Sequence, residues 1–552
     1  MRKWKKFFSL IKFKSYLYIY TLIVEKSSEN MNYQWQYPSK SNTKVAESLS
    51  NELNVPQIIG DLLVERGIES FDEAKAFFRP QLTDLIDPFL MDGMQKAVDR
   101  LTTAIHEGQK IMIYGDYDVD GSTSVALMVS FLRKFTEHVI FYQPDRYDEG
   151  YGISFKGIEH AKAENISLLI ALDCGTKAID KIELANTYQI DVIICDHHKP
   201  GKELPAALAL LNPKKDSCNY PYKELCGCGI GFKLIQAFTS EQGWPTEDIV
   251  EYLDLVTIAI GADIVPLDGE NRTLAYFGLK HINSNPRLGI RKLLETNNKR
   301  NNISISDLVF TIAPRVNAAG RISHANAAVE MLLVEDDEEA TKWCDEINKY
   351  NTERRLLDSD ITEDALSILK SNETLRNKKS TVLWDTGWHK GVVGIVASRL
   401  IENYYRPTIV LAVGEDEATG SARSVKGFDV HEAIDQCSEL LTKFGGHKYA
   451  AGLSIKKENL EAFREKFDKI VTASITADQL IQKLFISAEI TSSDLVPETV
   501  GNPFPKLYRI IEQFAPFGPK NMRPSLLIKG LIDNGHSKVV GETHLKLNLK
   551  CH

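Results

Sequence analysis

Four short apolar runs in this chain each end on an acidic residue or a histidine, and that arrangement limits the fold more than any other feature. Lys110–Tyr114, Ser167–Leu172, Ile190–Cys195 and Leu255–Ile260 are short, rich in Ile, Val and Leu, and bounded by polar or turn residues. That is the pattern of buried strands. They are followed by Gly115-Asp116-Tyr117-Asp118-Val119-Asp120-Gly121, by Asp173, by Asp196-His197-His198 and by Asp263. In an open parallel α/β sheet, ligands gather at the carboxyl ends of the strands. Four such ends therefore aim carboxylates and imidazoles into one crevice. So many carboxylates stay ionised together only if cations neutralise them, and the pattern predicts a metal site. Asp118 and Asp120 lie on the turn that opens the first helix, Asp173 is placed to bridge two ions, and Asp263 completes the set. His197 supplies a nitrogen ligand, which favours Mn2+ over a pure Mg2+ site.

The rest of the chain bounds what that site can serve. With 552 residues, 43% of them hydrophobic and 26% charged, the chain is ordinary globular protein and too long for a single core. A net charge of −9 excludes a generally basic coat, so a polyanion has to be held by a local basic groove or by bound metal. The cysteines are scattered as in a reduced cytosolic protein, and Cys226-Gly-Cys228 reads as a packing turn because no second pair lies near enough for zinc. Met1–Val24 mixes Lys and Arg with aromatic and aliphatic residues and is too interrupted for a spanning helix. It reads as a basic interfacial helix or as an extension upstream of a natural start at Met31.

The expected fold class is α/β. Val45–Leu101 reads as helices, with a capping box at Ser70-Phe71-Asp72-Glu73. Lys110 to about Val265 alternates strands with helices such as Ser122–Phe135 and Ala178–Tyr188, the signature of a doubly wound parallel sheet. Glu335–Leu369 should be a long linking helix, Thr381–Ser454 returns to mixed α/β, and Leu484–Leu549 contains short strands around a helix at Pro505–Phe514. His544–Leu549 alternates as a half-buried strand and the sequence stops just after it. A small barrel would be left unclosed there, so the reading is that the polypeptide lacks its natural end.

The run Gly115–Gly121, the Asp173 strand end and Asp196-His197-His198 resemble the DHH phosphoesterase superfamily. Gly115–Gly121 and Gly261-Ala262-Asp263-Ile264-Val265-Pro266-Leu267 are similar to its RecJ branch, the 5′→3′ single-strand-specific DNA exonucleases. Pro144-Asp145-Arg146 with Gly150-Tyr151-Gly152, Pro314–Arg321, Gly420–Ser424, Gly445-Gly446-His447 and Ala450-Ala451-Gly452 agree, in the family's order, from roughly Val45 to Leu549. The resemblance implies a catalytic DHH domain with amino-terminal helices over 31–330 after an uncertain extension 1–30, and a linking helix over 331–375. It further implies a DHHA1-type substrate-binding domain over 376–475 and an incomplete OB-like barrel over 480–552. Asp118, Asp120, Asp173, His197 and Asp263 become metal ligands, with Asp116 and His198 in or beside them. Tyr114 stands where many superfamily members carry a metal-binding histidine.

The same resemblance implies two-metal, in-line phosphodiester hydrolysis with Mn2+ or Mg2+, in which Asp173 and His198 are catalytic, His198 either donating a hydrogen bond to the scissile phosphate or orienting the neighbouring ligand. Arg146, Ser421 and Arg423, each read as lying in a Gly-bounded turn, are candidates for gripping a 5′ phosphate, since Arg offers a planar fork and Ser a neutral donor. Arg315, Asn317 and Arg321, in a Pro- and Gly-bounded loop, should line the strand's path, with Gly446 and His447 near the cleft. The implied activity is degradation of single-stranded DNA to mononucleotides in repair and recombination, by a cytoplasmic monomer with no membrane contact. Single-strand-binding protein and a RecQ-type helicase are the implied partners. Two other readings stay open: a phosphodiesterase of small nucleotides, and a binding subunit that has lost catalysis.

Overall fold

A computed structural model describes residues 33–37, 43–322, 325–497, 504–540 and 544–551; the Met1–Val24 reading lies outside them. The described residues fall into two units, one drawn from 1–67, 480–513 and 524–552, the other from 68–479 and 514–523.

In the first unit, strand β1 (Gln34–Gln36) precedes helices Thr43–Leu53 and Gln57–Glu65 and runs parallel to Lys483–Phe485. Further on, Ala488–Ile490 pairs with Leu526–Ile528, Leu531–Asp533 with Leu549–Cys551, and Lys538–Val540 with His544–Lys546. These are two-stranded pairings, and no closed barrel forms among the described residues. The expected helix is shorter, Lys506–Glu512. The expected strand His544–Leu549 divides in two. Asn548 interrupts it, its amide donating to Ser537 Oγ and its carbonyl accepting from the Asn534 amide.

The second unit holds the parallel sheet. Strands β2 (Ile111–Gly115), β3 (Val139–Tyr142), β4 (Leu168–Leu172), β5 (Asp191–Cys195) and β6 (Ala209–Leu211) are all parallel, in the order β3-β2-β4-β5-β6. β2 and β4 are buried at every position, as continuous apolar strands covered on both faces should be. The strand order reverses between β2 and β4. Residues 116–120 and Asp173 follow those two strands, which puts them at the topological switch point where ligands bind such sheets.

One of the four predicted strands is not a strand. Leu255–Ile260 lies in the helix Leu253–Ala262, buried on every side up to Gly261. A helix enclosed by other helices is apolar all round, so its short apolar run has no period that separates it from a buried strand. Asp263 therefore arrives from a helix end.

The helix Phe71–Phe78 carries the expected capping box at Ser70. The long helix spans Asp337–Ser371, with Asp336 accepting from the Glu338 and Glu339 amides. It leads to a second sheet of β7 (Thr381–Asp385), β8 (Thr408–Val413), β9 (Glu417–Arg423), β10 (Leu441–His447) and β11 (Ala450–Lys456), ordered β10-β11-β9-β8-β7 and antiparallel except for β7 with β8. Two more expectations change here. Ser421 and Arg423 stand on strand β9 where a turn is expected, and Arg315, Asn317 and Arg321 lie on the helix Ala313–Ile322 where a loop is expected. Pro314 directly follows the π-helical turn Leu308–Ile312, where the ladder is already widened and the Ala313 amide donates to the Leu308 carbonyl.

Candidate metal centre

After β2 the backbone turns tightly into the helix Val119–Leu132. A Cβ on Gly121 would lie 2.3 Å from the Asp116 carbonyl oxygen, so only glycine permits the turn. Asp118 caps the helix, its Oδ1 accepting from the Gly121 amide at 3.0 Å. Asp116 Oδ1 accepts from the Gly152 amide at 3.1 Å, while its Oδ2 is buried without a hydrogen-bond partner.

Asp120 is held in a way the sequence reading misses. Its two oxygens accept from the amides of Gly227 and Cys228, each at 2.7 Å. These amides open the helix Gly227–Glu241, whose cap is Cys226, with Sγ accepting from the Gly229 amide at 3.3 Å. Cys226-Gly-Cys228 is thus a helix start that grips a carboxylate, not merely a packing turn. The only sequence signal is a small-residue cluster ahead of an apolar run.

Asp173 follows β4 with φ of 57°, a left-handed conformation that a non-glycine residue keeps only when its surroundings impose it. Its amide donates to the Cys195 carbonyl at 2.9 Å. His197 Nε2 lies 3.1 Å from Asp173 Oδ1, 3.6 Å from Asp263 Oδ2 and 3.8 Å from Asp120 Oδ2. His198 faces the same crevice, its Nδ1 2.7 Å from Asp196 Oδ1 and its Nε2 3.2 Å from the Tyr151 hydroxyl. Asp196 is anchored by the Thr176 amide at 2.9 Å, and Asn212 Nδ2 donates to the His198 carbonyl at 2.8 Å. Tyr114 is core: it stacks on Tyr142 and its hydroxyl donates to the Gly152 carbonyl at 3.1 Å.

Electrostatics make this cluster a cation receptor. Burial first, then the neighbouring Asp118 carboxylate, holds Asp116 well above the usual carboxylate range. Burial and then Asp120 do the same to Asp173. Asp120 is pushed up to about 7 by burial and Asp118, and Asp263 to about 8 by burial and Asp120. Burial, reinforced by His198, lowers His197 to about 3 and keeps it neutral, the form that ligates metal. Burial would also lower His198, but its bond to the Asp196 carboxylate outweighs this and raises it. Ligand atoms of Asp173, His197 and His198 lie within 4.8 Å of one another, as do those of Asp120, His197 and Asp263. Asp173 Oδ1 is buried without a hydrogen-bond donor. Oxygen-rich, with neutral imidazole nitrogen and an orphaned carboxylate oxygen at its centre, the donor set fits divalent cations.

A second constellation is basic. Arg146 stacks over the Tyr117 ring, Cζ 4.2 Å from the centroid, and its Nε is buried without a partner. On β9, Arg423 donates to Ser421 Oγ at 2.7 Å. Gly394, not singled out from the sequence, opens the helix Val393–Asn403 against them: a Cβ there would lie 2.9 Å from an Arg423 guanidinium nitrogen and 3.0 Å from Ser421 Oγ. Burial and then the guanidiniums of Arg146 and Arg423 push Arg321 down to about 10. No carboxylate pairs with any of them among the described ion pairs. His447, on β10, is held below its usual value by burial and then by Lys177 and His198.

Arg315 is not brought to either constellation. It donates to the Thr311 carbonyl and to Asn348 Oδ1, each at 2.7 Å, and also to Asn297. The guanidinium ties its helix to the long helix. Asn317, on the same helix, is half-buried.

Residues 110–260 match the family model described as DHH family, N-terminal domain, 377–473 the DHHA1 domain, and 499–552 the RecJ OB domain. The chain is 36% identical over 527 residues to the single-stranded-DNA-specific exonuclease RecJ of Bacillus subtilis, covering 95% of this chain and 65% of that one. It is 32% identical over 524 residues to the Escherichia coli protein of the same name, covering 91% and 88%. The crystal structure of RecJ in complex with Mn2+ from Thermus thermophilus superposes with a TM-score of 0.80 at 27% identity, over 94% of this chain and 72% of that one. The chain thus spans just under two thirds of the length of its Bacillus subtilis relative.

Proposed function

The chain belongs to the RecJ family of DHH phosphoesterases, and on that footing we propose that it hydrolyses single-stranded DNA from a 5′ end, releasing mononucleotides in DNA repair and recombination. The observation that carries the reading is the convergence of Asp120, Asp173 and Asp263 on His197 Nε2 around an orphaned Asp173 oxygen. Asp116, Asp118, Asp120, Asp173, His197 and Asp263 would hold two divalent cations, Mn2+ or Mg2+. Bound there, the cations supply Lewis acidity and charge neutralisation for in-line attack on phosphorus.

The chain's own groups do the rest. Asp173 links the two halves of the ligand set. His198, oriented by Asp196, presents Nε2 to the scissile phosphate and offers a hydrogen bond as charge develops. Arg146, Ser421 and Arg423 bind the terminal 5′ phosphate, with Gly394 admitting it to the amino end of a helix. Arg321 adds positive charge to that pocket, and Gly446 and His447 confine the strand. Arg315 is left out of this set. The catalytic domain takes 31–330, the linking helix 331–375, the DHHA1-type domain 376–475 and the OB-like domain 480–552. The enzyme acts in the cytoplasm, with single-strand-binding protein and a RecQ-type helicase as partners. No helix among the described residues is long and apolar enough to cross a membrane.

Strands labelled at either end test the reading. Label should leave a 5′-labelled single strand first, as mononucleotides, in Mn2+. Loss from the 3′ end first, or equal attack on duplex, overturns it.

A further inference from the structure

The phosphate pocket just proposed is assembled from two separate sheets: Arg146 follows β3, while Ser421 and Arg423 stand on β9. A phosphate held from both sheets needs their side chains at a fixed separation. Tyr147 adjoins Arg146 in the chain.

Its main chain is set by an Asx turn, the Tyr147 and Asp148 amides donating to Asp145 Oδ1 at 2.7 and 2.9 Å. Its side chain then reaches both neighbours. The hydroxyl donates to the Arg321 carbonyl at 2.7 Å, at the end of the helix Ala313–Ile322. The ring lies under Lys390, whose Nζ is 4.0 Å from the centroid. The bracket closes through Arg321, whose guanidinium donates to the Gly391 carbonyl at 2.6 Å. Gly391 precedes the helix whose first turn, at Gly394, touches Arg423 and Ser421. Gly391 also packs against the Tyr147 hydroxyl, since a Cβ there would lie 2.6 Å from it and would push the tyrosine aside. A continuous path of contacts thus runs from Arg146 through Tyr147, Arg321 and Gly391 to Gly394 and Arg423.

We propose that Tyr147 is a positioning residue for specificity: its hydroxyl, clamped to the Arg321–Gly391 bracket, sets the distance between Arg146 and the Ser421–Arg423 pair and so lets the enzyme discriminate a 5′-phosphorylated end from a 5′-hydroxyl end. A phosphate satisfied by forks from two sides is sensitive to small errors in their separation. A hydroxyl end does not use both sides and so is less affected. The inference rests on the phosphate pocket proposed above.

The test compares kcat/KM on 5′-phosphorylated and 5′-hydroxyl strands of one sequence for wild type, Tyr147→Phe and Gly391→Ala. Phe keeps the ring beneath Lys390 and removes only the hydroxyl. The phosphate-to-hydroxyl ratio should fall about three- to tenfold in Tyr147→Phe, the size expected for one lost hydrogen bond, and the fall should sit in KM. Gly391→Ala should lower the ratio too, and less so when Tyr147 is already Phe, because the nearest of its clash partners is gone and only His389, at 2.9 Å, remains. A wild type that ignores the terminal group removes the phosphate pocket itself, and the bracket with it. A discriminating wild type whose Tyr147→Phe variant discriminates equally, or loses both activities in proportion, overturns the bracket alone.

Discussion

Gly227 and Asp173 approach so closely that a Cβ added to the glycine would lie 2.5 Å from the aspartate's own Cβ and 2.8 Å from its Oδ1. The same glycine's amide holds Asp120. One backbone position therefore supports two carboxylates from different parts of the chain. Gly227→Ala should destabilise the protein by about 1–3 kcal/mol through overpacking and should displace Asp173. Thermal unfolding with and without Mn2+ checks this: the stabilisation by metal should shrink in the variant.

Asp173→Ala removes the carboxylate that faces His197. Because metal-borne charge stabilisation amounts to several kcal/mol, hydrolysis should fall by about a hundredfold to ten-thousandfold. Calorimetric titration with Mn2+ should show fewer sites or much weaker binding. Near-normal turnover with metal present would remove Asp173 from the centre.

The strand ends were legible because buried parallel strands are continuous apolar runs, and polar residues directly after them have few places to go. That logic placed Asp116, Asp118, Asp120, Asp173 and His197 correctly relative to β2, β4 and β5. It fails at Leu255–Ile260, where enclosure by other helices erases the periodicity that identifies a helix, although Asp263 still reaches the crevice. Ser421 and Arg423 look like turn residues because Gly420 adjoins them. Gly420 instead sits within the sheet, where a Cβ would lie 2.5 Å from the Val410 carbonyl oxygen. Arg315 looks like its neighbour Arg321 in sequence; only packing reveals that Asn348 and Thr311 engage it. Gly227 and Gly394 carry no side chain to read, and their importance is a matter of what approaches them.

Asp196 orients His198 through a 2.7 Å contact to Nδ1. Asp196→Asn keeps the shape and loses the charge. Changes to such supporting partners typically cost about 10–100-fold. The loss should appear in kcat on single strands, while Mn2+ affinity changes far less, since Asp196 is not among the proposed ligands.

Without metal, the raised carboxylates make stability depend on pH in an unusual direction. Asp120 near 7 and Asp263 near 8 bind protons more tightly when folded than when unfolded, where an aspartate titrates near about 4. Over that interval the folded state carries the extra protons, so the slope of unfolding free energy with pH is negative. Their contribution is complete below about pH 4 and is lost as pH rises through about 7–8. The melting temperature of metal-free protein should therefore be pulled down by this site between about pH 5 and 8. Added Mn2+ should raise it more at about pH 8 than at about pH 5. Equal metal stabilisation at both would contradict the charge argument.

Anomalous diffraction at the manganese edge, from crystals equilibrated with Mn2+, addresses the cation pair most directly. Two peaks about 4 Å apart should appear in the crevice beyond β2 and β4, one among Asp120, Asp173, His197 and Asp263 and the other shared between Asp173 and the Asp116–Asp118 turn. A crevice without manganese, or peaks held only by residues elsewhere on the molecule, would contradict the account.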